Sequence, residues 1–330
     1  MESSRKQKRV MKKRRKKNKL IFTIVLIVLV TITTGVAYGY NLYSKAEKAV
    51  DNAYQDDGRD KSKLRETEVN PIEDHVSILF IGVDASEHRA NEDNALSDAL
   101  ILATLNREDN SVILTSIPRD TYTNIPHVGY NDKITHAHAF GGPLASVEAV
   151  EELFDVPVDY WVRFNFHAFV DIVDALDGIT FDVPYEFTES NSDDVKNSIH
   201  LYPGEQQVDG EEALALARTR KLDSDFARGK RQQELIQAIV NRAVSIGSLN
   251  KLDDVIDAVG DNMKTNLLFS EIKSFASYGL SGKLSIDMMN LEGSDLWLAN
   301  SHGQEIYYFD VSEESLNETK LKLKNHLDIQ

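Results

Sequence analysis

Residues Val76–Val83 read VSILFIGV, an apolar stretch interrupted only by Ser77 and Gly82, and Asp84 follows at once. The run is too short for an ordinary helix and lacks an apolar–polar alternation. That is the pattern of a strand buried on both faces. Ala99–Leu105 and Val112–Ile117 have the same character. Helical patterns lie between and after them. Leu144–Phe154 follows Gly141-Gly142-Pro143. Phe166, Phe169, Val170, Val173 and Leu176 recur at steps of three and four, and Gly178 closes that helix. Glu211–Arg218 and Arg228–Ile246 are two more, and Ser270-Glu271 opens another near Phe275. Buried strands interleaved with covering helices predict a layered α/β domain.

N-terminal to this core the character changes twice. Residues 45–75 are polar and mixed in charge, with Asp56-Asp57-Gly58 and Pro71, and read as a stalk that is helical over Ala46–Ala53. Leu20–Tyr40 is uncharged and mostly Ile, Val, Leu and Thr, and the next charge is Lys45. A helix of roughly 20 apolar residues spans a bilayer. Residues 1–19 carry eleven Lys or Arg and one Glu, which keeps that end in the cytoplasm. The expected order is a basic cytoplasmic tail (1–19), a transmembrane helix (20–44), an outer stalk (45–75) and an outer domain (76–330). A cleavable signal peptide ending near Gly35-Val36-Ala37 is the competing reading, against which the length of the apolar run speaks. The basic cluster also has the composition of a nucleic-acid patch, but a span follows it directly.

Composition excludes several classes. The 330 residues are 42% hydrophobic and 27% charged, enough to bury a sizeable core. There is no cysteine, hence no disulfide framework, thiolate nucleophile, cysteine-held metal or cysteine-linked lipid. Beyond residue 19 the chain keeps 26 basic against 52 acidic residues, a balance of −26. A body so acidic is a poor nucleic-acid binder.

Candidate chemistry gathers at the ends of the apolar runs. Asp84 follows the first strand and Asp98 precedes the next, and in open α/β sheets ligands collect at the carboxyl ends of strands. Two such carboxylates suit one magnesium ion shared with substrate phosphates, although a lone Asp more often caps a turn or helix. Arg119 stands just after the third run, in SIPRD. Arg218 and Arg220 end an amphipathic helix, and Arg228 and Arg231 share a helical face three residues apart. Guanidinium groups bind phosphate oxygens bidentately, so this set suits a pyrophosphate; the plainer reading is surface pairing with the many carboxylates. His136 and His138 stand two apart, so on a strand both would face one way, a possible zinc pair lacking an evident third ligand. No Gly-rich phosphate loop, HExxH or Ser/His/Asp order occurs.

Six blocks taken together resemble the LytR-CpsA-Psr family of cell-wall glycopolymer ligases. They are Ile78–Asp84, Leu96–Leu102, Ser116–Tyr122, Asp132–Pro143, Pro157–Ile179 and Gly210–Gln233, about half the chain. The fourth block, DKITHAHAFGGP, is most similar to the family's teichoic acid transferases of Gram-positive bacteria. The resemblance implies a three-layer α-β-α fold with a central mixed sheet and a hydrophobic tunnel for a prenyl chain. It implies transfer of an anionic glycopolymer, a wall teichoic acid, from undecaprenyl pyrophosphate to the 6-hydroxyl of N-acetylmuramic acid in peptidoglycan. Such an enzyme is a transferase of substituted phosphate groups, anchored in the cell membrane as a single-pass type II protein. By the same resemblance Asp84 and Asp98 hold magnesium, or manganese in its place. Arg119, Arg218, Arg220, Arg228 and Arg231 bind the pyrophosphate, Asp225 orients or deprotonates the acceptor, and Asp120 makes a supporting hydrogen bond. Leu96 stands where the family commonly has an arginine, so one phosphate contact is either missing or supplied by Arg89. Asp177-Gly178 replaces its usual Gly-Gly pair. Two other functions use the same features: a polyprenyl-pyrophosphate phosphatase, with water as acceptor, and a non-catalytic envelope regulator. A tail of 19 residues is too short for a DNA-binding domain, which counts against the regulator.

Overall fold

The computed structural model describes residues 39–83, 95–219, 225–245, 256, 262–280 and 284–329. The chain divides into a short unit ending at Glu47 and a large unit from Lys48 onward. In the short unit residues 39–47 are helical (α1). The expected tail and the span over residues 20–38 lie outside the described residues, and no described helix is long and apolar enough to cross a membrane.

The large unit is built on one strand. β1 (Val76–Val83) pairs antiparallel with β2 (Ser97–Asn106) on one side and parallel with β6 (Tyr160–Asn165) on the other. β3 (Ser111–Ser116), β11 (Met263–Thr265) and β12 (Ser285–Asn290) complete a six-stranded mixed sheet in the order β11-β6-β1-β2-β3-β12. Side chains of β1 alternate between the two faces, and both faces are covered. Leu79, Ile81 and Val83 join Leu100, Leu102 and Ile113 beneath α2 (Thr135–Phe154) and α7 (Glu313–Leu327). Ile78 joins Ile101, Ala103, Leu114 and Val162 on the other face, against Ile236 of α5 (Asp225–Ser245) and Phe275 of α6 (Phe269–Leu280). The sheet is thus the middle of three layers. Full burial of an aliphatic side chain contributes about 1.5–3 kcal/mol, and Leu79 and Ile81 are both wholly buried.

A third apolar cluster stands beside the sheet. It joins α3 (Phe166–Ala175), β7 (Ile179–Val183), β8 (Phe187–Glu189), β9 (Ile199–Leu201), β10 (Gly204–Val208) and α4 (Gly210–Arg218) to Leu235 of α5. α3 ends at Leu176, and Asp177 and Gly178 both take the left-handed conformation. Asp209 caps α4 by accepting from the Glu212 amide, with Glu212 answering to the Asp209 amide. Gly210 packs so closely on α3 that a Cβ there would lie 2.3 Å from the Val170 carbonyl oxygen. Two short hairpins remain: β4 (Tyr122–Ile125) with β5 (Tyr130–Lys133), and β13 (Gly293–Ala299) with β14 (Glu305–Val311).

Three expectations shift on contact with the structure. α2 starts at Thr135, ahead of Gly-Gly-Pro; Gly142, at φ +65°, breaks it into two segments and Leu144–Phe154 lies in the second. His136 and His138 therefore sit on a helix, where residues two apart diverge. His136 meets Asp132 at 2.8 Å, while buried His138 turns its Nδ1 to the Ala95 carbonyl. No group of three metal-ligating side chains occurs among the described residues, so the zinc pairing has no support. Residues 54–75, expected as a stalk, lie against the sheet unit. Arg65 forks onto Asp159 at 2.8 and 2.9 Å, and Ser62 donates to Glu151 at 2.5 Å.

Two tests address this scaffold. Gly210→Ala forces α4 away from α3 backbone, and overpacking of this kind costs about 1–3 kcal/mol; urea unfolding is expected to show a loss in that range. His326 of α7 lies between Thr104 and Ser111, and burial, reinforced by His75, lowers its pKa below the ordinary histidine value. The unfolded chain then takes up the proton more readily. This contribution is complete above the unfolded value, about 6.5, and is lost as pH falls from there toward the lowered native value. His326→Gln is expected to flatten the fall of Tm between pH 7.5 and 5.5; equal slopes in both proteins would contradict it.

Candidate functional site

Strand register brings several expected residues to one edge of the sheet. Val83 ends β1 opposite Ser97 of β2 and Asn165 of β6. Ser116 ends β3 opposite Ile101 of β2 and Asn290 of β12. The carboxyl ends of four strands and the start of β2 therefore share this edge, where ligands gather in open α/β sheets.

Arg119 follows β3 and meets Asp98 of β2, Nη1 to Oδ1 at 2.6 Å. Each side chain keeps more than a quarter of its surface open. Asp120, beside it, is buried, with Oδ2 at 3.5 Å from Arg119 Nε and Oδ1 accepting from Lys133 at 2.6 Å. Lys133 arrives on β5, and its ammonium lies 5.8 and 5.7 Å from the ring centres of Tyr307 and Tyr308. Burial first, and then the Asp132 carboxylate, push the Tyr308 hydroxyl above its ordinary pKa.

The first turns of α5 lie against the same edge. Gly229 faces the end of β3 so closely that a Cβ would stand 2.5 Å from Ser116 Oγ. One turn on, the buried Gln233 amide donates to the Leu114 and Met289 carbonyls, at 2.8 and 2.7 Å, and ties α5 across β3 and β12. Arg228 and Arg231 are 6% and 4% exposed, unusual for isolated cations. Arg231 donates to the carbonyls of Leu216 (2.6 Å) and Thr219 (2.7 Å), the end of α4. Charge-assisted bonds of this kind satisfy carbonyls left open by the helix terminus. Arg218, on that same end, places its guanidinium 4.9 Å over the ring of Phe166, the residue after β6. It also reaches the Asn191 carbonyl and Asp194.

Arg119 and Asp98 thus stand at the end of β3 and the start of β2, Arg218 lies over Phe166 after β6, and Arg228 and Arg231 ride on the turns of α5 that pack on Ser116 and on the end of α4. Four of the five expected arginines, with Asp98, are carried on elements that meet at this edge. Asp84 and Arg220 lie outside the described residues, as does Arg89; Asp225 opens α5, but its side chain is likewise outside them. Leu96, at the position of the family's arginine, is 43% exposed. Asp98 is a hard oxygen donor of the kind magnesium takes, with Arg119 already on Oδ1. A cleft of about 830 Å³ opens between β7 and α5, lined in part by Arg231, Lys230, Glu234 and Arg242. Lys133 and Phe166 are the functional neighbours that sequence reasoning missed. Lys133 lies within the fourth block, yet only the contact with Asp120 reveals its place, and Phe166 reads simply as a core position of α3.

A mixed sheet between helical layers, with arginines and an aspartate along its carboxyl edge, defines an α/β/α domain with an arginine-bearing edge. Within that class the chain belongs to the LytR_cpsA_psr family, whose model matches residues 38–325. It is 38% identical over 321 residues to the polyisoprenyl-teichoic acid–peptidoglycan teichoic acid transferase TagT of Bacillus subtilis, covering 96% of this chain and 98% of that one. Among solved structures it is similar to TagT bound to LIIa-WTA (37% identity, TM-score 0.68, 82% of this chain and 98% of that one). It is also similar to the family protein YwtF (TagT) with bound octaprenyl pyrophosphate lipid (35% identity, TM-score 0.64, the same coverages).

Arg231 supplies a test of this geometry that is independent of substrate. Lysine cannot reproduce the fork onto Leu216 and Thr219, and a buried carbonyl left unsatisfied costs about 1–3 kcal/mol. Arg231→Lys is expected to lose stability in that range and to speed amide exchange at the end of α4; unchanged exchange there would refute the clasp.

Proposed function

We propose that this protein transfers an anionic glycopolymer, a wall teichoic acid, from undecaprenyl pyrophosphate to the 6-hydroxyl of N-acetylmuramic acid in peptidoglycan. The observation that carries the reading is the placement of the Arg119–Asp98 pair after β3 and of Arg218 over Phe166 after β6, with Arg228 on the helix that packs on Ser116 at the same sheet edge. Relatives named as teichoic acid transferases, one solved with a polyprenyl pyrophosphate lipid, supply the substrate class.

In the proposed reaction the acceptor oxygen attacks the phosphorus that bears the polymer. A new P–O bond forms, the bond to the bridging oxygen breaks, and undecaprenyl phosphate departs. The acceptor proton passes to Asp225, the candidate base. Arg119, Arg218, Arg220 and Arg228 hold the diphosphate oxygens and stabilise charge that builds toward the transition state, with no reorganisation needed at that moment. Arg231, bonded to the end of α4, adds fixed positive charge from behind and keeps Arg218 in place. Lys133 holds the Asp120 carboxylate and so orients Arg119. Asp98, with Asp84, is the proposed holder of magnesium or manganese, which when bound neutralises phosphate charge. The apolar stretch 20–44 is the proposed anchor, with the basic tail inside the cell membrane and the domain outside, beside its lipid donor.

Removing one preorganised donor in comparable sites lowers kcat by about 10²–10³. Arg119→Ala and Arg218→Ala in the full-length chain are each expected to lower polymer transfer at least tenfold, measured with lipid-linked donor and purified peptidoglycan. Transfer at the wild-type rate would exclude the proposed site. Phosphate release from donor that is indifferent to peptidoglycan would identify a phosphatase instead.

A further inference from the structure

An aromatic strip crosses the surface beside Arg119 and Asp120. At one end Trp297, 56% exposed, meets Tyr307 across the β13–β14 ladder with ring centres 5.4 Å apart. Lys133 lies next to both Tyr307 and Tyr308. Tyr308 packs edge-on against Tyr122 with ring centres 5.0 Å apart, and Asp132, next to Lys133 on β5, meets His136. From His136 the rings continue to Phe140 at 6.0 Å and on to Tyr130 at 6.1 Å. Tyr130 and Phe140 are 50% and 39% exposed. The strip is fastened to the site: Phe309 of β14 donates its amide to the Asp120 carbonyl at 2.8 Å. Lys133, at its middle, is the residue that holds Asp120.

Exposed rings in a row, with a few polar groups between them, fit a partner that offers flat, weakly polar faces and hydroxyl groups. Charge narrows the choice. Between Lys283 and Lys320 the chain has no Lys or Arg and eight Asp or Glu, so the hairpin end repels a polyanion. Neither a nucleic acid nor the anionic polymer fits there. The arrangement has a second property: Lys133 and Asp120, which support Arg119 in the proposed site, stand partway along the strip, with ring surface on both sides. A chain terminus needs contacts on one side only, whereas an internal unit of a linear polymer extends in both directions.

We propose that this strip binds the acceptor glycan strand, seating an internal sugar at Lys133 and Asp120 with Trp297 and Tyr130 holding sugars to either side. The assignment of the strand as acceptor rests on the function proposed above; the binding of a neutral glycan does not.

The test uses the full-length chain in detergent and peptidoglycan sacculi stripped of anionic polymers. Trp297→Ala and Tyr130→Ala alter exposed side chains, and circular dichroism verifies their folding. Each is expected to weaken co-sedimentation at least fivefold, with Trp297→Phe restoring most of it. In the transfer assay the acceptor KM rises with kcat retained and donor binding unchanged, and a disaccharide acceptor performs poorly. Wild-type sedimentation by the folded alanine variants overturns the strip, as does weakened binding of soluble anionic polymer in place of sacculi. Loss of sedimentation in the variants, with a wild-type chain that transfers no polymer, supports the strip and removes the transferase reading alone.

Discussion

Bringing several guanidinium groups to one sheet edge opposes two physical penalties, mutual repulsion and loss of hydration. The fold meets them one at a time. Arg119 has the carboxylates of Asp98 and Asp120, and Arg231 has two carbonyls at the end of α4. Arg218 has the face of Phe166 and a carboxylate at its rim. Each arrangement draws on a different strand or helix, so the edge exists only when the sheet, α4 and α5 are all in register. That dependence explains the tight packing behind it, with Gly210 against α3 and Gly229 against Ser116.

Much of this was legible in the sequence. β1, β2 and β3 show as apolar runs because both of their faces are covered, and α3 and α4 show through helical spacing and caps. The arginines stood out because cations that follow apolar elements are conspicuous in an acidic domain. The illegible parts are those where tertiary contact overrides local pattern. The first segment of α2 carries two glycines and a proline that read as a loop. The polar stretch 54–75 looks solvated, yet Arg65 and Ser62 find partners about ninety residues away. The β13–β14 hairpin mixes aromatic, aliphatic and acidic residues with no clear core signal, because neither of its faces is fully covered. Lys133 has nothing in its local sequence to mark it; a hairpin carries it to Asp120.

The two halves of the site also differ in how they are held. Arg228, Arg231 and Gln233 are buried on a long helix that is pinned to the sheet. Asp98 and Arg119 are more open and bind chiefly each other and Asp120. Fixed positive charge on α5 thus contrasts with a pair that can be separated, and the proposed diphosphate site draws on both: fixed charge to attract the anion and a cation able to turn toward it.

The short bond between Asp98 and Arg119 has a thermodynamic consequence. An anion that draws Arg119 away leaves the carboxylate available, and a cation that draws Asp98 away leaves the guanidinium available. Each event lowers the free energy required for the other, and linkage makes the effect equal in both directions. While the two bind each other neither ion alone recovers the full interaction, so at the proposed site occupancy by opposite charges is expected to be heterotropic and positively cooperative.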